Sequence, residues 1–432
     1  MKTVASTWLA VLVLSLVTLQ AAAETTSEAA FRAAKAWTVR VQVEMPTPFI
    51  EDQKGSYEGA GFVVDAKRGW ILTNAHVAGH SPTILRIAFD DGRLIQAERV
   101  YVDPYLDVAV IAYKPEQLKE VPPEPTLECN SVPPVGHPVG AYGHPWGFRF
   151  TGTRGIASAV TPRFGADMLQ TDAPINAGNS GGPLISLETG HVVGISTAKI
   201  ADQGVEGLSF AVPMPFVCTI LTLLKAGQDP SPPAAGVEFA IDENDERTLV
   251  VANTRLETPG IDLRPEDEIV AVAGRVVTTP TQFVDAVRSH LDDLVLTVRR
   301  DGRETRVTGK IPAAPRIIER RGLWVDGALF APGADFYGGI LSDGEGIMVH
   351  HIEEASEAQS VGLAVYDAVE RVNGRSVHSL EELERIIVEA IHKKRPIELL
   401  IIRFGNDPDR LFQYQRRYLS GENVSWVGGP PQ

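Results

Sequence analysis

Cysteine is nearly absent: Cys129 and Cys218 are the only two in 432 residues, so at most one bridge within the chain can form. Metal-ligand spacing is missing too. His137, His144, His191, His350 and His351 have no Cys or carboxylate partners at zinc-like intervals, and the adjacent pair 350 and 351 should face opposite sides of a strand. Neither a metal nor a cofactor is expected. A net charge of −15, without a strong basic cluster, sets nucleic acid aside and offers no patch to an anionic membrane. Long apolar runs are confined to the beginning. The stretch from Val4 to Leu19, after Lys2, is shorter than the ~20 residues of a spanning helix and has no basic stop behind it. It ends in Gln20-Ala21-Ala22-Ala23, so residues 1–23 read as a secretory leader cut after Ala23. Export is expected, to the periplasm if the source is Gram-negative.

What remains is a soluble, globular composition of 44% apolar and 22% charged residues, with length for about three domains. Short segments alternate with period two. Trp37-Thr38-Val39-Arg40-Val41-Gln42-Val43 does so cleanly, and Gly59–Val64 with Trp70–Leu72 suggest a hairpin. A helical segment near 214–225 ends at Lys225-Ala226-Gly227. Residues 228–235, rich in proline, then read as a semi-rigid linker. Two weakly similar units follow. Each offers a strand, a Gly turn, a helix and a second strand: Asp267–Val277, Thr281–His290 and Val295–Gly302, then Asp367–Val377, Leu380–His392 and Ile397–Arg403.

Chemistry concentrates in Asp172-Ala173-Pro174-Ile175-Asn176-Ala177-Gly178-Asn179-Ser180-Gly181-Gly182-Pro183-Leu184. One serine stands among glycines whose missing side chains let backbone N–H groups converge on a developing oxyanion. Upstream lie Thr73-Asn74-Ala75-His76-Val77 and Asp103-Pro104-Tyr105-Leu106-Asp107-Val108. The order His76, Asp107, Ser180 is that of one class of serine proteases, with barrels of six strands. Gly178-x-Ser180-x-Gly182 also fits a nucleophile elbow, but that needs a helix after the serine and an acid and histidine downstream. Pro183 and the strand-like Leu184-Ile185-Ser186 rule it out.

Together, "TNAHV", "LDVAV", "GHPWGF…GIASAV", "QTDAPINAGNSGGPL", "GHVVGIST" and "GLSFAVP" resemble the HtrA/Deg family of trypsin-like proteases with C-terminal PDZ domains. The likeness covers most of residues 35–215. It implies a mainly β fold: a chymotrypsin-like double antiparallel β-barrel over 24–227, then two small α+β PDZ-like domains at 236–312 and 319–405. Residues 406–432 are left as a tail, either a closing strand or an interface. By the same resemblance His76 is general base, Asp107 its orienting carboxylate and Ser180 the nucleophile. Gly178, Asn179 and Ser180 form the oxyanion loop.

Pro174, six residues before the serine, puts no carboxylate at the base of the substrate pocket, and Ile195-Ser196-Thr197-Ala198 should form its opposite wall. Small or medium aliphatic residues suit it, with broad cleavage because one methylene discriminates weakly. Asn179, uncharged where digestive relatives carry an aspartate, makes a zymogen-type switch unnecessary. Cys129 and Cys218, on the interbarrel linker and the closing helix, either form a bridge worth roughly 4–5 kcal/mol or pack as two thiols. The first PDZ-like unit is degenerate. Glu266 and Ala273 depart from the usual residues, and Glu238 in Gly236-Val237-Glu238-Phe239 would repel a peptide carboxylate. In the second, Gly322-Leu323-Trp324-Val325 and Gly327-Ala328-Leu329-Phe330 compete as the carboxylate loop.

The reading is an exported, ATP-independent serine endopeptidase acting on unfolded or misfolded proteins. PDZ-bound peptides are further partners, and assembly is expected as a homotrimer or a multiple of trimers, with Phe31 and Trp37 either subunit contacts or ordinary core aromatics. The alternative is a non-proteolytic chaperone or peptide-binding scaffold.

Overall fold

The computed structural model describes residues 26–144, 150–161, 166–197, 208–234, 237–240, 249–254, 260–333, 346–404 and 412–429. The expected leader, Ala198 and Gly236 lie outside the described residues. Among the described residues no helix is long and apolar enough to cross a membrane.

After helix α1 (Thr26–Trp37), strands β1 (Thr38–Met45), β2 (Gly55–Asp65) and β3 (Trp70–Thr73) lead to a short helix α2 (Ala75–Ala78). Strands β4 (Ile84–Ala88), β5 (Leu94–Asp103) and β6 (Val108–Tyr113) close these into a barrel in the order β1-β2-β3-β6-β5-β4. The alternation of β1 explains its place: Val39, Val41 and Val43 are buried while Glu44 faces water. A second closed barrel, β10-β11-β12-β9-β8-β7, is built from β7 (Pro138–Gly143), β8 (Thr151–Thr161), β9 (Met168–Thr171), β10 (Pro183–Ser186), β11 (Val192–Thr197) and β12 (Ser209–Pro213). Closure leaves neither barrel with an open edge.

Helix α3 (Met214–Lys225) buries Phe216, Val217 and Ile220 against this body, and a disulfide joins its Cys218 to Cys129. Trp37 packs edge-on against Phe62 inside the first barrel, and Phe31 stacks on Tyr142 beside Gly140. Trp37 is 4% exposed, so of its two expected roles the structure gives it that of a core aromatic.

The next sheet runs β13-β14-β15-β17-β18. Its members are β13 (Val237–Phe239), β14 (Leu249–Thr254), β15 (Glu268–Val272), β17 (Leu294–Arg300) and β18 (Arg303–Gly309). The short β16 (Arg275–Val276) pairs with β15, and helix α4 (Pro280–Val287), capped by Thr279, packs Phe283 and Val287 into this unit's core.

The final sheet contains β19 (Arg321–Val325), β20 (Ala328–Pro332), β21 (Ile347–Ile352) and β22 (Ala368–Val372), with β23 (Arg375–Ser376) paired to β22. A one-turn helix α5 (Glu357–Ser360) precedes β22, and helix α6 (Leu380–His392) follows β23, its Leu383, Ile386 and Ile387 facing the core. Strand β24 (Ile397–Phe404) then pairs with β25 (Phe412–Leu419). With β26 (Val424–Gly428) the order is β25-β24-β22-β21-β20-β19-β26. The stretch set apart as a tail therefore supplies two strands of this sheet, one at each edge.

His350 and His351 depart from expectation. Register passes from Leu329↔His351 to Phe330↔Val349, so His350 is the extra residue of a β-bulge. Its ring meets Phe49 at 5.6 Å while His351 stacks on Trp324. Phe49 and Trp324 belong to one cluster, and the bulge turns both histidines toward it.

Candidate active site

The loop between β5 and β6 carries Asp107 in a left-handed conformation, φ 58°. Two side chains hold the loop. Leu106 N–H donates to Asp103 Oδ1 (2.9 Å), and Asn74 Nδ2 donates to the Asp107 carbonyl (2.9 Å). Asn74 directly precedes α2, so the same residue that opens the His76 helix also fixes the acid loop.

Three donors then converge on the Asp107 carboxylate, which is 3% exposed. His76 N–H reaches Oδ1 at 3.0 Å, His76 Nδ1 lies 2.9 Å from Oδ2, and the Thr197 hydroxyl donates to Oδ2 at 3.0 Å. An acceptor carboxylate at Nδ1 selects the tautomer with its proton there. That leaves the Nε2 lone pair to take a proton.

Ser180 follows a turn opened by Gly178, φ 97°. The turn is seated against β2 and against Thr73 at the end of β3, the strand that leads to His76. Ala60 N–H donates to the Ser180 carbonyl (2.8 Å). A methyl placed on Gly181 would lie 2.2 Å from both Ala60 O and Thr73 Oγ1. Only glycine fits there, and the closeness puts residue 180 beside the residues that precede His76. His144 N–H donates to the Gly178 carbonyl at 3.1 Å, tying the turn to β7.

Asn179 is a correction within the expected oxyanion loop. Its backbone N–H already donates to the Asn176 carbonyl at 2.9 Å, so it is not free for a substrate oxygen. Its side chain is fully buried under Gly143, with neither amide atom bonded among the described residues.

The pocket expectation is also revised. Pro174 is exposed, and its carbonyl accepts the Thr153 hydroxyl at 2.9 Å. Asp172 accepts Ile156 N–H at 2.6 Å, consistent with a barrel-edge role. Ile195 points into the barrel core and Thr197 is committed to Asp107, so neither side chain forms a pocket wall. Ser196 ties the nucleophile turn to β11, its N–H on the Gly182 carbonyl and its carbonyl on Gly181 N–H. Sequence reasoning missed Thr197 as a partner of the acid; only the pairing of β11 with the turn brings it there.

A second serine–histidine pair occurs on the other side of this barrel. His137 Nε2 lies 2.8 Å from Ser186 Oγ, with Glu188 3.7 Å from Nδ1. Ser186 Oγ also accepts Thr189 N–H (3.2 Å), and Gly190 N–H donates to the Ser186 carbonyl (2.9 Å). The hydroxyl fastens the β10–β11 turn, without a glycine-lined donor loop at its side. Among the described residues no cluster of His, Cys, Asp and Glu is arranged to hold a metal.

Comparison with known proteins adds ancestry to this geometry. The trypsin-like peptidase domain family matches residues 59–195. A "Probable periplasmic serine endoprotease DegP-like" of Chlamydia muridarum is 31% identical over 372 residues, which cover 80% of this chain and 72% of that protein. A "Serine protease Do-like HtrA" of Lactococcus lactis is 32% identical over 302 residues, covering 61% and 72%. Among solved structures, "HtrA-type protease AlgW with tripeptide" superposes with TM-score 0.54 and 26% identity, over 67% of this chain and 97% of that one.

Proposed function

Since the chain belongs to the HtrA/DegP family of serine endoproteases, we propose that Ser180 is its nucleophile, His76 its general base and Asp107 the carboxylate that orients and charges the base. The observation that carries this is the three-donor seat of Asp107, placed within the same fold of chain as the Ser180 turn.

In the first step His76 Nε2 accepts the serine proton as the hydroxyl oxygen attacks the substrate carbonyl. Asp107 stabilises the resulting imidazolium without taking its proton. The N–H groups of Gly178 and Ser180 receive the oxyanion. His76 then protonates the leaving amine, and water, deprotonated by the same imidazole, hydrolyses the acyl-enzyme.

The substrates are unfolded or damaged proteins, cut after small or medium aliphatic residues, a preference that rests on likeness to the family. The periplasm is the working compartment, on the relatives' printed location and the leader-like residues 1–23. A trimer, or a multiple of trimers, is the assembly proposed by family likeness. Peptide ligands at the PDZ-like units are proposed by family likeness alone.

A fluorophosphonate probe read by mass spectrometry tests the assignment. Labelling should map to Ser180, and casein cleavage should fall by about 10⁴-fold or more in Ser180→Ala. Ser186→Ala should cleave at the wild-type rate. Labelling at residue 186, or casein cleavage unchanged in Ser180→Ala, would overturn the assignment.

A further inference from the structure

The two later units share a five-strand frame and differ at one edge. Strands β18, β17, β15, β14 and β13 of the first correspond in order to β25, β24, β22, β21 and β20 of the second. Among the described residues β13 ends its sheet. Its counterpart β20 does not. Strand β19 folds back on it through the turn Asp326-Gly327, and β26 pairs with β19 in turn. A peptide that joins such a sheet as an added strand needs a free edge beside the helix. Here the chain itself occupies that place twice over.

Strand β26 is seated like a bound peptide. It lies antiparallel to β19 over five residue pairs, from Val325↔Val424 to Arg321↔Gly428. Its side chains divide by strand period. Val424 and Trp426 pack against the core under α6, and Trp426 Nε1 donates to Glu384 Oε1 of that helix at 2.8 Å. The Arg321 guanidinium covers the Trp426 ring at 4.7 Å. Val427, on the opposite face, joins the cluster around Phe49 of the protease domain.

The entry to the strand is gripped by one buried carboxylate. Asp326 accepts Gly421 N–H at 2.6 Å and Asn423 N–H at 2.9 Å. The exit passes Arg320, whose carbonyl accepts Gly429 N–H at 3.1 Å.

We propose that β26 is a resident ligand of the second unit. It closes the unit to outside peptides and, through Val427, links this closure to the seat of Phe49. An extended peptide of the same pattern, with an aliphatic and an aromatic side chain two residues apart on one face, is the partner that can replace it.

The experiment uses the full chain carrying Ser180→Ala, with a site-specific protease sequence inserted between Gly421 and Glu422. A fluorescent peptide of sequence Glu-Asn-Val-Ser-Trp-Val-Gly-Gly is titrated before and after cutting, and native mass spectrometry follows the released segment. The uncut chain should bind the peptide at least about 100-fold more weakly than the cut chain, because its edge is occupied. A segment that stays bound after cutting, without a covalent link, supports the proposal equally. Replacing the tryptophan of the labelled peptide by alanine should weaken uptake at least tenfold (about 1.4 kcal/mol). Equal binding before and after cutting, in a cut chain that native mass spectrometry shows to have released the segment, overturns it. So does a cut chain that loses the segment, keeps its circular dichroism and takes up no peptide, or one that cannot tell the two peptides apart.

Discussion

The two PDZ-like units grip the protease domain by opposite physics. The first is held by a buried polar lock. Arg288, just after α4, meets Asp103 at 2.6 Å with both side chains fully buried. Tyr101 donates to Asp103 Oδ2 at 2.9 Å, and Arg288 also donates to the Tyr101 hydroxyl and the Pro230 carbonyl. Beside it Thr279 donates to Asp167, whose carboxyl is pushed up by burial, and Asp167 N–H donates to Thr281. The second unit is held by an apolar peg. Phe49, 1% exposed, sits among Leu329, Ala331, Trp324 and Val427 with Arg320 over its ring at 4.4 Å. A buried charge pair is intolerant of losing one partner, whereas an apolar contact weakens in proportion to what is removed. The first unit should therefore fail abruptly and the second by degrees.

Arg288→Ala is the sharpest way to break the contrast. It leaves Asp103 buried without its cation, a loss of about 3–5 kcal/mol by denaturant unfolding. Asp103 Oδ1 also holds Leu106 N–H, one residue before Asp107, the carboxylate proposed to orient the base, so kcat should fall with stability. The double variant Asp103→Leu with Arg288→Met should regain most of the stability, because apolar pairs replace buried ion pairs well. It should not regain kcat, since leucine cannot hold that amide. A double variant that recovers both would show the lock to be scaffolding alone.

Phe49→Ala comes next, with about 3 kcal/mol lost from transfer and cavity terms. Hydrogen exchange should rise in β19, β20 and β21 and stay unchanged in β14 and β15. Equal rises in both units would show that the two grips are not independent. Catalysis is expected to respond less than to Arg288→Ala, because the Phe49 loop reaches the site indirectly: Asp52 accepts N–H groups from His80 and Ser81, beyond α2.

Acid should separate the units in a third way. His350 accepts Ile50 N–H at Nδ1 (3.3 Å) and faces the Pro332 carbonyl through Nε2 (2.9 Å), so the bonded form is neutral. Burial first, and Arg320 second, push its pKa down to about 4, against the opposing pull of Glu51. The unfolded chain would protonate this ring near pH 6.5 and the folded one only near 4. Its stabilising contribution is therefore complete above the unfolded value and is lost as pH falls through that window, roughly 3 kcal/mol in all. Exchange in β20 and β21 should quicken between those limits while β14 and β15 hold. His350→Gln should flatten the profile; an unchanged profile would move the acid sensitivity to another group.

These contrasts were unequally legible in the sequence. Asp107, His76 and Ser180 could be proposed as acid, base and nucleophile because each sits in a local motif shared with the family it resembles. Both barrels were implied by the family resemblance, with period-two alternation agreeing in the first. The Arg288–Asp103 lock left no trace, since neither residue looks unusual until folding buries them together. Thr197 was read as pocket wall because its side chain turns to Asp107 only through the pairing of β11. His350 and His351 were assigned opposite faces by simple alternation, which a bulge defeats. Strand β26 hid in a stretch whose apolar residues are too few to announce a strand, and its pairing with β19 is what orders it.

The smallest expected effect tests whether charge adds to the apolar grip at all. Lys54 meets Glu353 at 2.6 Å between the protease loop and the second unit, with side chains 47% and 39% exposed. Its Coulomb gain is largely screened, and holding two flexible side chains together costs entropy. Lys54→Ala should thus lose under about 1 kcal/mol, and less still at high salt. Combined with Phe49→Ala, the two losses should nearly add if the peg alone fixes the unit's position, because the ion pair then needs nothing from the ring. A strong positive coupling would mean instead that the charges help to place Phe49, and the second grip would be as cooperative as the first.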